Sequence, residues 1–200
     1  MSIVYLVRHP HTMVNLSIPS SEWTLSTAGL EEAEKLALQP FWKQVNHIYT
    51  SEEPKSQTTA RIVAAHTGVA WESVPGLQEL DRSSYQPPDI AAYRSAVARI
   101  FSTPGMSVRG WETGRAAEDR ILNAVAELER DANGTYAIVS HGLVLTLLIA
   151  RIAGLAEPYA FWKSIGFAAV ARLDLEKRFL VTNFDNSYLS SPHLHESNGK

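Results

Sequence analysis

Apolar positions recur along this chain in two periods that alternate in order. Residues 2–7, SIVYLV, form a compact run rich in β-branched side chains and bounded by polar ones, the pattern of a strand buried on both faces. From 26 to 39 the spacing turns helical: Leu30, Ala33, Leu36 and Ala37 share a face, and Ser26 or Thr27 is available as N-cap. VNHIYTS (45–51) alternates as a strand does, and KSQTTARIVAAHTG (55–68) reads as a helix with Gly68 as its C-cap. The middle is less regular. VAWESVPGLQEL (69–80) suits a strand and its connection, RSSYQPPD (82–89) a loop, 90–101 a helix, and STPGMSVRG (102–110) breaks the pattern. A long helix is then expected over 113–131 and a strand over TYAIVS (135–140), which passes through His141 and Gly142 into an apolar helix over 143–153. Residues 167–184 read as two strands joined at Leu175 to Lys177 as a hairpin, and the chain from 189 onward, ending SSPHLHESNGK, as a disordered tail.

Strands alternating with helices through short connections predict an α/β fold. The expected architecture is a three-layer sandwich, a mostly parallel central sheet with helices on both faces, formed by residues 1–188 as a single domain. In such sheets ligands bind beyond the carboxyl ends of the strands. His9 and His141 each fall just past a strand, so the two are expected to converge although they are distant in sequence.

Composition narrows the class. Two hundred residues, 45% of them hydrophobic, suit one ordinary domain. The net charge of -3, with basic residues spread along the chain, argues against a nucleic-acid partner. With no cysteine, thiol chemistry and disulfides are excluded. The N-terminal apolar run lacks a basic region before it and ends at Arg8, and the most apolar stretch, 143–156, is short and interrupted by Arg151. A cytoplasmic protein without a membrane partner is therefore expected. These features do not fix the oligomeric state.

The candidate chemistry lies at the two strand ends. Arg8-His9 and Ser140-His141-Gly142 put a permanent cation and two imidazoles on one rim, a set suited to an oxyanion and above all a phosphoryl group. Arginine offers a planar fork of donors, and histidine a neutral nitrogen nucleophile or a donor. Gly142 lets backbone approach closely, and the helix after it adds a positive N-terminal end. Taken singly, each histidine is more commonly a structural residue than a catalyst. The set changes that balance. LVRHPHTMVN (6–15) resembles the L-x-R-H-G-x-T-x-x-N signature of the histidine phosphatase superfamily, also called phosphoglycerate mutase-like. WTLSTAGLEEAEKLA is similar to its L-T-x-x-G-x-x-Q-A segment, YTSEEPKSQTTARIVA to S-S-P-L-x-R-A-x-Q-T-A, LQEL to the segment with its acidic residue, and AIVSHGLVLTLLI to V-S-H-G-x-x-I. Five matches in family order, over residues 3 to about 150, are specific where one would not be.

The resemblance implies a two-step, metal-independent phosphoryl transfer without a cofactor. It makes His9 the nucleophile, Arg8 and His141 phosphate ligands, Asn15 a further contact and Glu79 the proton donor. Three positions depart from the pattern: Pro10 stands for the glycine after the nucleophile, His11 precedes Thr12, and Lys55 replaces the second phosphate-binding arginine. Pro10 removes a possible N–H donor and biases His9 toward extended backbone. Lys55 keeps the charge but loses the bidentate fork. Arg61, roughly 240° around the helix from Lys55, is a poor substitute, whereas Arg82, three residues after Glu79, is a candidate for the same mouth. His9 and His11 could share a face as a metal pair, but the other His-x-His, His193 to His195, lies in the expected tail; no metal is expected, and His11 is read as a rim residue. Trp23, Trp71 and Trp111 are candidate pocket walls, more commonly core. The expected function is hydrolysis of a small-molecule phosphate ester or another phosphorylated substrate. The alternatives are mutase-type phosphoryl transfer and a catalytically impaired phosphate-binding or interaction protein on the same scaffold. The short stretch between Glu79 and the strand at 135 favours hydrolysis, because an enclosing insertion is what would keep water out.

Overall fold

The computed structural model describes residues 3–131 and 134–190. Strands β1 (Ile3–Arg8), β2 (His47–Thr50), β3 (Ala70–Ser73), β4 (Tyr136–Ser140), β5 (Val170–Asp174) and β6 (Phe179–Asp185) form one sheet in the order β3-β2-β4-β1-β5-β6. The first four in that order run parallel, and β5 and β6 are antiparallel to their neighbours. The sheet is thus mostly parallel, as the strand–helix alternation predicts. Its centre is the two apolar runs. β4 is buried throughout, and Val4, Leu6 and Val7 of β1 are fully buried, while the edge strand β6 is mostly exposed.

The pleat sends alternate residues to opposite faces, and each face has its own cover. Tyr5, Val7, Ile48, Ala137 and Val139 pack against α1 (Thr27–Ala37) and α2 (Pro54–Thr67), through Leu36, Ala60 and Val63. Val4, Leu6 and Ile138 pack against α4 (Gly114–Asp131) and α5 (Gly142–Ala153), through Ile121, Leu128, Leu145 and Leu148. α3 (Ile90–Ser102) is held beside α5 by a third cluster that joins Val97 and Ile100 to Leu80, Trp111, Leu143 and Leu147. The expected caps are present. Ser26 accepts the Gly29 N–H at the start of α1, and Gly68 ends α2 in the left-handed conformation at φ 73°.

The structure adds α6 (Pro158–Ser164) and short 3-10 turns over Ser20–Glu22 and Pro40–Gln44. Their brevity and mixed apolar content leave no period to read. The hairpin closes through Arg178 at φ 54°, and Ser187–Ser190 form a further 3-10 turn whose Leu189 carbonyl accepts from Lys35. That turn takes up 189 and 190; the rest of the expected tail lies outside the described residues. Trp111 is core and Trp71 packs against the α1–α2 face. Among the described residues no helix is long and apolar enough to cross a membrane.

Candidate active site

The parallel pairing of β1 with β4 aligns Arg8 with Ser140, which puts the next residue of each chain segment, His9 and His141, side by side beyond the strand ends. The His9 N–H donates to the Ser140 carbonyl at 3.0 Å, and the two rings lie with centroids 5.1 Å apart, tilted 58° to each other. Both are buried. The expected convergence is observed, and its cause is register.

Each imidazole is held by one nitrogen. His9 Nδ1 lies 2.7 Å from the Pro10 carbonyl; a carbonyl only accepts, so this contact puts the proton on Nδ1 and leaves the Nε2 lone pair free. Pro10 thus contributes through its C=O although it has no N–H. His141 Nε2 lies 2.7 Å from Ser51 Oγ, 3.4 Å from Ser56 Oγ and 3.3 Å from Glu53 Oε1, while its Nδ1 is buried without a partner. Burial pushes the proton affinity of both rings well below that of a free imidazole. For His9 the charges of His141, Arg8 and Lys55 reinforce this, and for His141 those of Lys55, Arg82, Arg8 and Arg120.

Arg8 lies with its guanidinium over the Phe167 ring at 4.2 Å, donates Nη1 to the Ile165 carbonyl, and keeps a buried Nε without a partner. A Cβ on Gly142 would sit 3.4 Å from that Nε and from Trp162 Nε1, so the glycine lets helix α5 begin directly against the arginine. Arg8 Nε and His141 Nδ1 are two unpartnered buried nitrogens beside the nucleophile; with the Ser51 hydroxyl donating to His141 Nε2, the ring proton lies on Nδ1, and both nitrogens are then donors that a bound oxyanion would satisfy.

Glu79 sits at the N-terminus of α5. Its Oε2 accepts from the Leu143 N–H at 3.1 Å, and its Oε1 from the Val144 and Leu80 N–H groups at 3.0 Å each. Desolvation raises its pKa; Arg82 and the N–H donors from Leu80 and Leu143 oppose that rise without cancelling it, and Glu53 adds to it. A buried carboxyl with a raised pKa, at the start of the helix that follows His141, can act as an acid.

Other expected residues fare differently. Lys55 is buried but ion-paired with Glu53, and its Nζ also donates to the Ser20 carbonyl at 2.7 Å. Arg82 donates Nε to Ser20 Oγ at 3.0 Å and lies over Tyr93, 4.9 Å from the ring centroid. Asn15 is exposed, and its Oδ1 accepts from the Ser17 N–H in its own loop; it is not gathered with the histidines. His11 is exposed at the rim, edge-on to Phe167 and bound to Ser26, and no cluster of metal-ligating side chains occurs among the described residues. Sequence reasoning missed Glu53, Ser51, Phe167 and Tyr93. A glutamate where the matching segment carries leucine was the one available signal for Glu53; the others are common residue types brought in by folding.

The model of the histidine phosphatase superfamily, branch 1, matches residues 4–183. This chain belongs to the histidine phosphatase superfamily. Among curated members it is similar to a probable phosphoglycerate mutase, GpmB, of Yersinia enterocolitica, 26% identical over 96% of this chain and 97% of that one. Among solved structures its fold is similar to that of YhfR of Bacillus stearothermophilus (TM-score 0.76, 21% identity, 94% of this chain and 100% of that one). It is also similar to a mycobacterial glucosyl-3-phosphoglycerate phosphatase (TM-score 0.74, 20% identity, 92% and 98% coverage), a protein also solved in complex with inorganic phosphate. The proteins it resembles thus carry both phosphatase and mutase names.

Proposed function

We propose that the protein is a metal-independent phosphatase that hydrolyses phosphate monoesters through a phosphohistidine on His9. The observation that carries this is the state of His9: buried, neutral, with its Nδ1 proton fixed on the Pro10 carbonyl and Nε2 left as a nucleophile. In the first step Nε2 attacks phosphorus, the bond to the ester oxygen breaks, and that oxygen takes the Glu79 proton. In the second, water attacks the phosphohistidine, Glu79 receives the water proton, and the P–N bond breaks to give inorganic phosphate. Arg8 and His141, through their unpartnered nitrogens, and the N-terminal end of α5 at Gly142 hold the phosphoryl oxygens. Asn15 would take part only if its loop turned inward. The substrate is read as a small phosphate ester.

The GpmB-type relatives make transfer to a second hydroxyl the second reading. Against it, the described residues between Glu79 and β4 form α3, α4 and their connections, and none of them builds a further domain to shut water out. Hydrolysis of p-nitrophenyl phosphate in EDTA tests the proposal. Wild type is expected to release phosphate and His9→Ala to release none. Inactivity of wild type across a pH series would favour a phosphate-binding protein, loss of activity to EDTA would refute the metal-free route, and transfer to an added hydroxyl acceptor without net phosphate release would favour the mutase.

A further inference from the structure

Four cations act on His141: Lys55, Arg82, Arg8 and Arg120. Two of them are already ion-paired. Arg120 donates to both carboxylate oxygens of Glu112, Nη2 at 2.8 Å and Nε at 3.1 Å. Lys55 is paired with Glu53 in the interior, with both side chains screened from solvent. Arg8 and Arg82 make no ion pair among the described residues.

Lys55 and Glu53 depart from the matching segment together, since S-S-P-L-x-R has leucine and arginine at these two positions. An arginine beside leucine presents an unopposed fork to an anion. A lysine bound to a buried glutamate still acts through its charge on His9 and His141, but its ammonium is held by its partner, and pulling it free toward an anion would leave the carboxylate desolvated and unpaired. Glu53 is tied down further: its Oε1 accepts the Glu79 N–H at 2.7 Å and lies 3.3 Å from His141 Nε2. Arg82 is the contrary case. It lines a cavity of about 360 Å³ together with Ser20, Glu53 and Glu79, and it lies against the Trp23 and Tyr93 rings. Its charge acts on Arg8, Glu79 and His141, three of the residues around the nucleophile. Ser20 joins the two cations, accepting from Lys55 with its carbonyl and from Arg82 with its hydroxyl.

We propose that Arg82 rather than Lys55 is the second cation of the anion site, and that Glu53 is the positioning residue that withdraws Lys55 from that role. The inference rests on the phosphatase reading only in taking phosphate as the anion. Glu53 thereby converts a phosphate clamp into an internal strut that fixes the backbone of the acid. The clamp moves to the loop after Glu79.

Titration calorimetry of inorganic phosphate at fixed pH tests this without turnover. Arg82→Ala is expected to weaken phosphate by roughly ten- to a hundredfold, the range of a lost charge-assisted hydrogen bond, and Arg82→Lys by less. The near-isosteric Glu53→Gln leaves Lys55 unopposed and is expected to tighten phosphate. In Glu53→Gln/Arg82→Ala the released lysine is expected to recover part of the loss, a rescue that a merely structural Glu53 would not give. Phosphate bound by Arg82→Ala as tightly as by wild type, or weakened rather than tightened by Glu53→Gln, overturns the inference alone. Wild type that binds no phosphate overturns the phosphatase reading and the inference with it.

Discussion

The site is a pair of titrating groups pushed in opposite directions by burial. His9 acts only when neutral and its pKa is lowered, so it remains competent well below pH 6.5, where a free histidine would be charged. Glu79 must begin protonated and its pKa is raised, so its competence extends upward and is lost as the pH rises through that raised value. Activity is therefore expected to be greatest on the acidic side, with an alkaline limb set by Glu79. Glu79→Gln should lower kcat by ~10²- to 10⁴-fold, the usual contribution of a general acid, and flatten that limb in a kcat/KM pH profile. An alkaline limb that survives the substitution would assign it to another group. These residues were largely legible: His9, Arg8, Glu79, His141 and Gly142 each stand in a quotable segment. Glu53 and Phe167 were not, because a buried carboxylate or an aromatic ring under a guanidinium depends on which segments fold against each other. Asn15 read as a site residue by position in its segment, yet a local Asx-type bond to Ser17 satisfies its side chain more cheaply.

Among the elements, the passage from β1 to α1 is the tightest constraint. A Cβ on Gly29, in the first turn of α1, would lie 1.9 Å from the His11 carbonyl, which also accepts the Ser26 N–H and so fastens the segment following His9 to the helix. Gly29→Ala must displace that segment. It is expected to cost about 1–3 kcal/mol, as overpacking does, and to lower activity as well, both measurable by urea denaturation alongside p-nitrophenyl phosphate turnover. Unchanged stability would mean the segment relaxes freely. Asp89 caps α3 by accepting the Ala92 N–H at 2.8 Å, and Asp89→Ala should cost about 1 kcal/mol with little effect at the histidines. Strands and helices with a clear period were legible to within a few residues. α6 and the 3-10 turns were not, since seven residues with apolar side chains on several sides carry no distinguishable repeat.

For the molecule as a whole, the fold was legible because periodicity alternated and the two central strands were continuous apolar runs; pairing order and the antiparallel edge come from packing that one sequence does not display. The two helical layers predict that truncating a residue between sheet and helix is costly: Leu145→Ala, fully buried against β1 and β4, is expected to lose about 2–5 kcal/mol in chemical denaturation. The buried neutral histidines also link stability to pH. Their folded pKa values lie below the unfolded value of 6.5, so the unfolded chain binds more protons below that pH and stability should fall as the solution is acidified through it. Replacing His141 by glutamine should reduce that slope in melts recorded across the range. The central claim concerns a covalent bond on one nitrogen. Rapid quenching of the protein with a ³²P-labelled monoester in EDTA, followed by peptide mapping under alkaline conditions that spare phosphohistidine, tests it most directly. Label is expected on His9 in wild type and absent in His9→Ala; turnover with no label on His9, or label on another residue, would contradict the phosphohistidine mechanism.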